Sequence, residues 1–207
     1  MKKYLKKAEL IKKINKEVAE MIGINPAART TCCKPGGNSG VILESPKFDG
    51  EHSKRYFRIM QINKEDDVAK VIAQKYPDVI EESIWSSSNT DYCIYVPVEA
   101  KEGSLLKEDM LGVKQLEKVK LAQQSWVEYG TNIDLCSKPF LRHNISNTVT
   151  VEDDQWDEVA KFTYDNKQYF TGISYLSNIG DKIYNQAPFT SVYTPKEISV
   201  FEIELGK

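Results

Sequence analysis

The sequence predicts an α/β fold in which about five largely parallel strands alternate with helices. Three observations lead to this prediction: apolar, β-branched stretches of strand length, helical stretches between most of them, and the absence of repeats or low-complexity tracts. The 207 residues are enough to bury a sizeable core, and we expect one domain over residues 1–207. Strands joined through helices are typical of parallel sheets. Such a sheet has two free edges unless it closes on itself or pairs with another protein.

Helices are predicted where apolar residues recur at helical spacing. In the N-terminal segment, residues 1–22, lysines lie between the apolar residues, which is typical of a solvated face, and Gly23 ends the helix. Asp153 and Asp154 are suitable cap and first-turn residues for the last helix. The predicted helices are 5–22, 65–76, 107–129 and a stretch through Trp156 to about Asn166.

Strands are predicted where β-branched and aromatic residues cluster between turn residues. Residues 177–195 have neither pattern and are predicted to be irregular, and residues 196–207 are interpreted as a C-terminal extension. The five predicted strands are 28–33, 55–63, 91–98, 144–151 and 170–176.

Charge and hydropathy exclude several classes of protein. The net charge is −2, so no large basic field indicates nucleic-acid binding. No apolar run approaches the roughly 18 residues of a membrane span, and the lysine-rich N-terminus lacks the continuous apolar core of a signal peptide. We therefore expect a cytoplasmic protein that binds neither nucleic acid nor membrane.

The four cysteines have no spacing that is typical of a metal site. Cys32, Cys33 and Cys93 lie on predicted strands and are interpreted as structural thiols, while Cys136 lies in a loop without a visible partner. We expect reduced cysteines and no bound metal.

A glycine-rich loop follows the first predicted strand and is the main candidate for a binding site. Backbone N–H groups at such a loop and at a helix start favour a phosphate group, but a capped turn is the alternative. The stretch fits neither the Walker A pattern, in which the lysine follows the glycines, nor GxGxxG. Its candidate phosphate-binding residues are Lys34, Pro35, Gly36, Gly37, Asn38 and Ser39.

Polar residues on two predicted strands are candidates for lining the same site. Asn144 and its polar neighbours lie on a strand that should be buried, so one face of it is expected to meet a ligand. Gly172 in the last strand is typical of a close approach by another group. His143 is interpreted either as a polar contact at the mouth of the site or as a solvated, capping histidine. The candidate lining residues are His143, Asn144, Gly172 and Ser174.

Six blocks of sequence together resemble the adenosylcobalamin-dependent (class II) ribonucleotide reductases. The first contains the loop, RTTCCKPGGNSG, which is similar to the family's KPSG-type loop. The blocks occur in the family's order, cover most of residues 20–195, and are GINPAARTTCCKPGGNSG, GEHSKRYFRIMQINKED, LGVKQLEKVKLAQQSWVEYGTN, LRHNISNTVTV, YFTGISYL and GDKIYNQAPFT. The family usually has serine where this chain has Gly36, which removes one hydroxyl from the loop.

The resemblance implies half of a ten-stranded α/β barrel in which the loop holds the phosphates of a ribonucleotide. It covers only the C-terminal half of the family's barrel, so it implies a chain without catalytic residues that assembles with an N-terminal reductase fragment. That fragment would carry the radical and redox cysteines and share adenosylcobalamin, and a thioredoxin-type reductant would serve the assembled enzyme. The alternative is a non-catalytic nucleotide-binding or regulatory remnant of a reductase.

Overall fold

The computed structural model describes residues 2–34, 36, 43, 48–178, 185–192, 195–204 and 206. Pro35 and residues 37–42, which include most of the predicted phosphate loop, lie outside the described residues. The chain forms two compact units rather than one continuous core: residues 1–50 with 109–178, and residues 51–108 with 179–207. In chain order the elements are α1 (Lys2–Ile22), β1 (Arg55–Asn63), α2 (Asp67–Lys75), β2 (Ile80–Glu82), β3 (Asp91–Glu99), α3 (Gly112–Ala122), β4 (Thr148–Val151), α4 (Trp156–Asp165), β5 (Ser174–Ser177), β6 (Phe189–Ser191) and α5 (Pro195–Glu204).

The fold class is mixed α/β, as predicted, but the prediction of a largely parallel sheet is wrong for the second unit. Its four strands lie in the order β2-β3-β1-β6, and every neighbouring pair is antiparallel. Helix α2 joins β1 to β2, which both run antiparallel to β3 between them. The expectation that two strands joined by a helix run parallel therefore holds for β1 and β2. It was wrong for β1 and β3, because the three-residue strand β2, which lies between them in the sequence, gave no sequence signal.

Local chemistry explains the ends of α2. Asp66 lies at the N-cap, and its side chain accepts a hydrogen bond from the backbone N–H of Val68. Such a cap satisfies one of the free N–H groups of the first turn. Lys75 lies in the last turn, where a positive charge complements the helix dipole.

The segment interpreted as a C-terminal extension contributes to the core of the second unit. Phe201 of α5 is 1% exposed, and its ring centroid lies 5.5 Å from that of Phe57 on β1. The neighbouring stretch, predicted to be irregular, contains β6, which pairs with β1 through Tyr56 and Ser191. Both elements contact β1, which lies more than 100 residues earlier in the chain, and sequence periodicity does not report such contacts.

The first unit contains the parallel pairing that the sequence predicted. Strands β4 and β5 are parallel, with Thr148 opposite Ser174, and Cys33 forms a parallel bridge with Ile145. Helices α3 and α4 cover these strands, and Leu116 of α3 packs fully buried in their core. The other buried members of that cluster are Val149, Val151 and Val159.

Several predicted boundaries in the first unit differ from the structure. The predicted helix 107–129 is interrupted, because Leu111 is extended and a π-helical turn over Gln123–Val127 follows α3. Gln155, without a side-chain cap, occupies the N-cap of α4 that was expected at Asp153 or Asp154. The predicted strand 28–33 is reduced to single bridges, and regular pairing begins at Thr148 and Ser174 in the other two.

Candidate functional site

The segment that leads into the glycine-rich loop is held against the π-helical turn. The hydroxyl of Thr31 donates to the carbonyl of Trp126 at 2.6 Å, and Thr31 is 3% exposed. The backbone N–H and the hydroxyl of Thr30 both donate to the carbonyl of Gly130, at 2.9 and 2.8 Å. The root of the loop, residues 29–33, is therefore held by hydrogen bonds of Thr30 and Thr31, although it forms no regular strand.

The same segment lies beside the polar stretch around Asn144. The backbone N–H of Ser146 donates to the carbonyl of Cys33 at 2.9 Å. A ring nitrogen of His143, Nδ1, lies 3.0 Å from the carbonyl oxygen of Thr31. His143 thus contacts the backbone of the root of the loop, and its two interpretations both stay open.

Two asparagines join this stretch to Gly172, which lies just before β5. The N–H of Gly172 donates to Oδ1 of Asn144 at 3.1 Å. The amide nitrogen of Asn147 donates to the carbonyls of Ile145 and Gly172, at 2.6 and 3.4 Å. Its oxygen, Oδ1, is buried without a hydrogen-bond partner, and such a group is uncommon in a folded protein.

The candidate residues therefore come together from three parts of the chain. Cys33 in the root of the loop pairs with Ile145, the residue after Asn144, and Asn144 in turn is hydrogen-bonded to Gly172. Asn144 and Gly172 are exposed. Ser174 is also exposed and lies opposite Thr148 in the ladder. The exposed amide of Asn144 and the exposed hydroxyl of Ser174 are groups that can hydrogen-bond phosphate or hydroxyl groups.

The structural need for glycine differs between two of the candidate positions. Gly36 has a φ of +73°, a backbone conformation that is unfavourable for serine and other residues with a Cβ atom. A Cβ atom on Gly172 would lie 3.8 Å from the nearest atom of Asn144, an ordinary contact. The chain's own described atoms therefore do not require glycine at position 172. Lys34 is exposed at the start of the loop, whereas Gly37, Asn38 and Ser39 lie outside the described residues.

The chain after the loop is held by α3. The side-chain nitrogen of Gln115 donates to Asp49, and Nζ of Lys118 donates to the carbonyl of Phe48. Lys118 Nζ also lies 4.8 Å from the centroid of the Phe48 ring. Gln115 is 1% exposed, and its Oε1 has no hydrogen-bond partner.

Sequence reasoning missed Gln115, Lys118 and Asp49 because the loop and α3 are far apart along the chain. The available signal was a glutamine and a lysine three residues apart on one face of a predicted helix.

Burial and neighbouring charges shift two pKa values in this region. Burial raises the pKa of the Cys33 thiol, and the nearby Asp49 and Cys32 add to the rise, which Lys118 partly opposes. Burial lowers the pKa of Lys118, while Asp49 and Cys33 oppose that change. Cys33 is consequently a protonated thiol at neutral pH, as expected for a structural cysteine.

The described part of the chain has neither a cluster of metal-ligating side chains nor a membrane-spanning helix. Within residues 2–34, 36, 43, 48–178, 185–192, 195–204 and 206, no three His, Cys, Asp or Glu side chains are arranged to hold a metal ion. Among the described helices, none has the length and apolar character needed to cross a membrane.

Comparison with known proteins shows a similarity of three-dimensional structure. No protein-family model and no curated sequence matches the chain. The fold is similar to that of a solved B12-dependent (class II) ribonucleotide reductase, with a TM-score of 0.72 and 15% sequence identity. The similarity covers 100% of this chain and 28% of that chain. The chain thus spans little more than a quarter of the length of that solved reductase.

Proposed function

We propose that this chain is the substrate-phosphate-binding part of an adenosylcobalamin-dependent ribonucleotide reductase. The observation that carries the proposal is the adjacency of the loop root, Asn144 and Gly172 in the first unit. The similarity of the fold to a class II reductase supports the same assignment. The parallel segments of the first unit are the part that we assign to the reductase barrel.

In the proposed site, the loop binds the phosphates and the asparagine surface orients the sugar. Lys34, which is exposed, supplies a positive charge, and the backbone N–H groups of residues 36–39 supply hydrogen bonds, whereas Pro35 has no N–H to donate. Gly36 and Gly37 allow the backbone to approach the phosphate closely. Asn144 and Ser174 face the same substrate as hydrogen-bonding groups, and His143 holds the root of the loop.

The reaction would exchange the ribose 2′-OH for hydrogen, release water and take two electrons from a dithiol. Adenosylcobalamin supplies the radical that starts this chemistry. The described residues of the site are amides and backbone groups, which suit phosphate and hydroxyl groups rather than a corrin ring. One apolar groove among the described residues is lined mainly by α1 and includes neither the loop nor Asn144. We therefore assign the cofactor contacts and the catalytic cysteines to an N-terminal reductase chain in the cytoplasm.

Nucleotide binding by the whole chain tests the site directly. We expect a ribonucleoside di- or triphosphate to bind in isothermal titration calorimetry, and Lys34→Ala to weaken binding about tenfold, because one charge-assisted contact is worth about 1.5 kcal/mol. Lys75→Ala, which removes an exposed lysine of α2, is the matched control and should bind normally. A folded Lys34→Ala variant with unchanged affinity would show that the loop is only a turn.

Activity tests the assignment to a reductase. With a complementary chain that carries the radical and redox cysteines, adenosylcobalamin and a thioredoxin-type reductant, the chain should yield deoxyribonucleotide, and alone it should yield none. Nucleotide binding without reduction in the presence of that complement would instead identify a non-catalytic, regulatory remnant. Turnover by the isolated chain would contradict the division of roles.

A further inference from the structure

The ring of His143 has a defined hydrogen-bonding direction at the root of the loop. Its Nδ1 lies 3.0 Å from the backbone carbonyl oxygen of Thr31. Because a carbonyl oxygen only accepts hydrogen bonds, Nδ1 must carry the proton that forms this bond. A neutral imidazole has a proton on only one of its two ring nitrogens. In the neutral ring of His143, Nε2 therefore has a free lone pair and is a hydrogen-bond acceptor.

The backbone on both sides of this ring is held in place. The carbonyl of His143 accepts a hydrogen bond from the side-chain amide of Gln123 at 3.5 Å, and Gln123 is 1% exposed. Ile145 forms a parallel bridge with Cys33, whose carbonyl accepts from the N–H of Ser146 at 2.9 Å. These contacts hold residues 143–146 beside the root of the loop, and the fold thereby sets which ring nitrogen meets Thr31.

The second nitrogen of the ring is available to a ligand. His143 is only half-buried, and in the part of the chain that the structure describes no group forms a hydrogen bond with its Nε2. The next residue, Asn144, is exposed, and its Oδ1 accepts from the N–H of Gly172 at 3.1 Å. That bond leaves the amide N–H groups of Asn144 as donors. The stretch thus offers a ligand both an acceptor and donors, and partners within the fold decide which group is which.

A ribose hydroxyl is the part of a nucleotide that fits the lone pair of Nε2. Ionised phosphate oxygens only accept hydrogen bonds and cannot pair with an unprotonated nitrogen, whereas a hydroxyl donates through its O–H. The ribose is joined directly to the phosphates, which the proposed function assigns to the loop that follows Cys33. We propose that Nε2 of His143 accepts a hydrogen bond from a ribose hydroxyl and distinguishes the nucleotide from analogues that lack this hydroxyl. This inference rests on the proposed function.

The first test reads the tautomer of His143 without any ligand. The chain contains two histidines, His52 and His143, so a long-range ¹H–¹⁵N spectrum of the whole chain, labelled with ¹⁵N-histidine, gives two ring patterns. The variant His143→Asn removes one pattern and so assigns both. On the neutral ring at about pH 8, we expect the proton of His143 on Nδ1. A proton on Nε2 would overturn the proposal.

The second test is calorimetric titration with a ribonucleoside triphosphate and its 2′-deoxy and 3′-deoxy analogues. Removing the hydroxyl that pairs with His143 should weaken binding to the wild type about fivefold, because one hydrogen bond of ordinary strength is lost. His143→Asn should bind the ribonucleotide about fivefold more weakly and should no longer distinguish it from that analogue, because the bond is already absent. The analogue that shows this coupling identifies the hydroxyl.

Two substitutions separate contact with the ligand from the hold on the loop root. Asparagine can place an N–H near the position of Nδ1 but has no atom at that of Nε2, so His143→Asn should keep the bond to Thr31 and the urea midpoint of the wild type. Glutamine reaches the position of Nε2 but lacks the donor at Nδ1, so His143→Gln should unfold at a lower urea concentration and still discriminate between the nucleotides.

The outcomes distinguish this inference from the proposed function. A folded His143→Asn variant that discriminates between the ribonucleotide and both analogues as the wild type does would overturn the role of His143 alone. A wild type that binds the ribonucleotide and both analogues equally would do the same. Failure of the wild type to bind any nucleotide would overturn the proposed function and this inference with it.

Discussion

The contact between Gly130 and Thr31 gives the sharpest prediction about how the loop root is held. A Cβ atom on Gly130 would lie 1.9 Å from Oγ1 of Thr31, and 2.6 and 2.7 Å from its Cγ2 and Cβ. Thr31 cannot move aside easily, because it is buried and β-branched and its hydroxyl donates to Trp126. Gly130→Ala must therefore displace the segment that leads into the loop.

The expected cost follows from two contributions. Forcing extra atoms into a packed site costs about 1–3 kcal/mol, and losing the buried hydroxyl contact of Thr31 adds about 1–2 kcal/mol. The free energy of unfolding should fall by about 2–5 kcal/mol, a large part of the roughly 5–15 kcal/mol that is typical of a folded protein.

Urea unfolding followed by circular dichroism measures this loss, with Gly172→Ala as the matched control. A Cβ atom on Gly172 would make only an ordinary contact at 3.8 Å, so the control should be as stable as the wild type or slightly more stable. If Gly130→Ala unfolded at the same urea concentration as Gly172→Ala, the packing of Thr31 against Gly130 would be refuted.

Two further predictions concern the hydrophobic core and the half-buried thiol of Cys33. Leu116→Ala, at a side chain that is 0% exposed, should lower the free energy of unfolding by about 3 kcal/mol in urea unfolding, whereas Leu121→Ala on the same helix, 45% exposed, should cost much less; equal losses would contradict the assigned core. Because the pKa of Cys33 is raised on folding, its stabilising contribution is complete below the unfolded thiol pKa of about 8.5 and is lost as pH rises through the raised pKa. Comparing the pH dependence of stability with that of Cys33→Ala isolates this effect. Iodoacetamide should modify the exposed Cys32 first, and faster reaction of the half-buried Cys33 at neutral pH would contradict its lower exposure.

The candidate site was predicted in its parts but not in its geometry. The loop, His143, Asn144 and Gly172 were recognisable as polar or glycine residues in strand-like stretches. Their adjacency depends on hydrogen bonds between residues that are 28 positions apart, for Asn144 and Gly172, and 112 apart, for Thr31 and His143. Sequence periodicity does not report such contacts, which is also why the role of Gln115 at the end of the loop was missed.

By itself, the sequence determined some of the longer local elements of this protein. Strand Arg55–Asn63 lies where alternation of side chains predicted it, and helix Asp67–Lys75 lies within its predicted stretch with Asp66 as its cap. Only the tertiary structure decided the direction in which the strands pair. The three-residue strand Ile80–Glu82 acquires its conformation from hydrogen bonds with the neighbouring strand β3. The hydrophobic periodicity of one segment does not report which distant segment it pairs with. One unit therefore contains an antiparallel sheet, and the other contains a parallel pair of strands beside the candidate site.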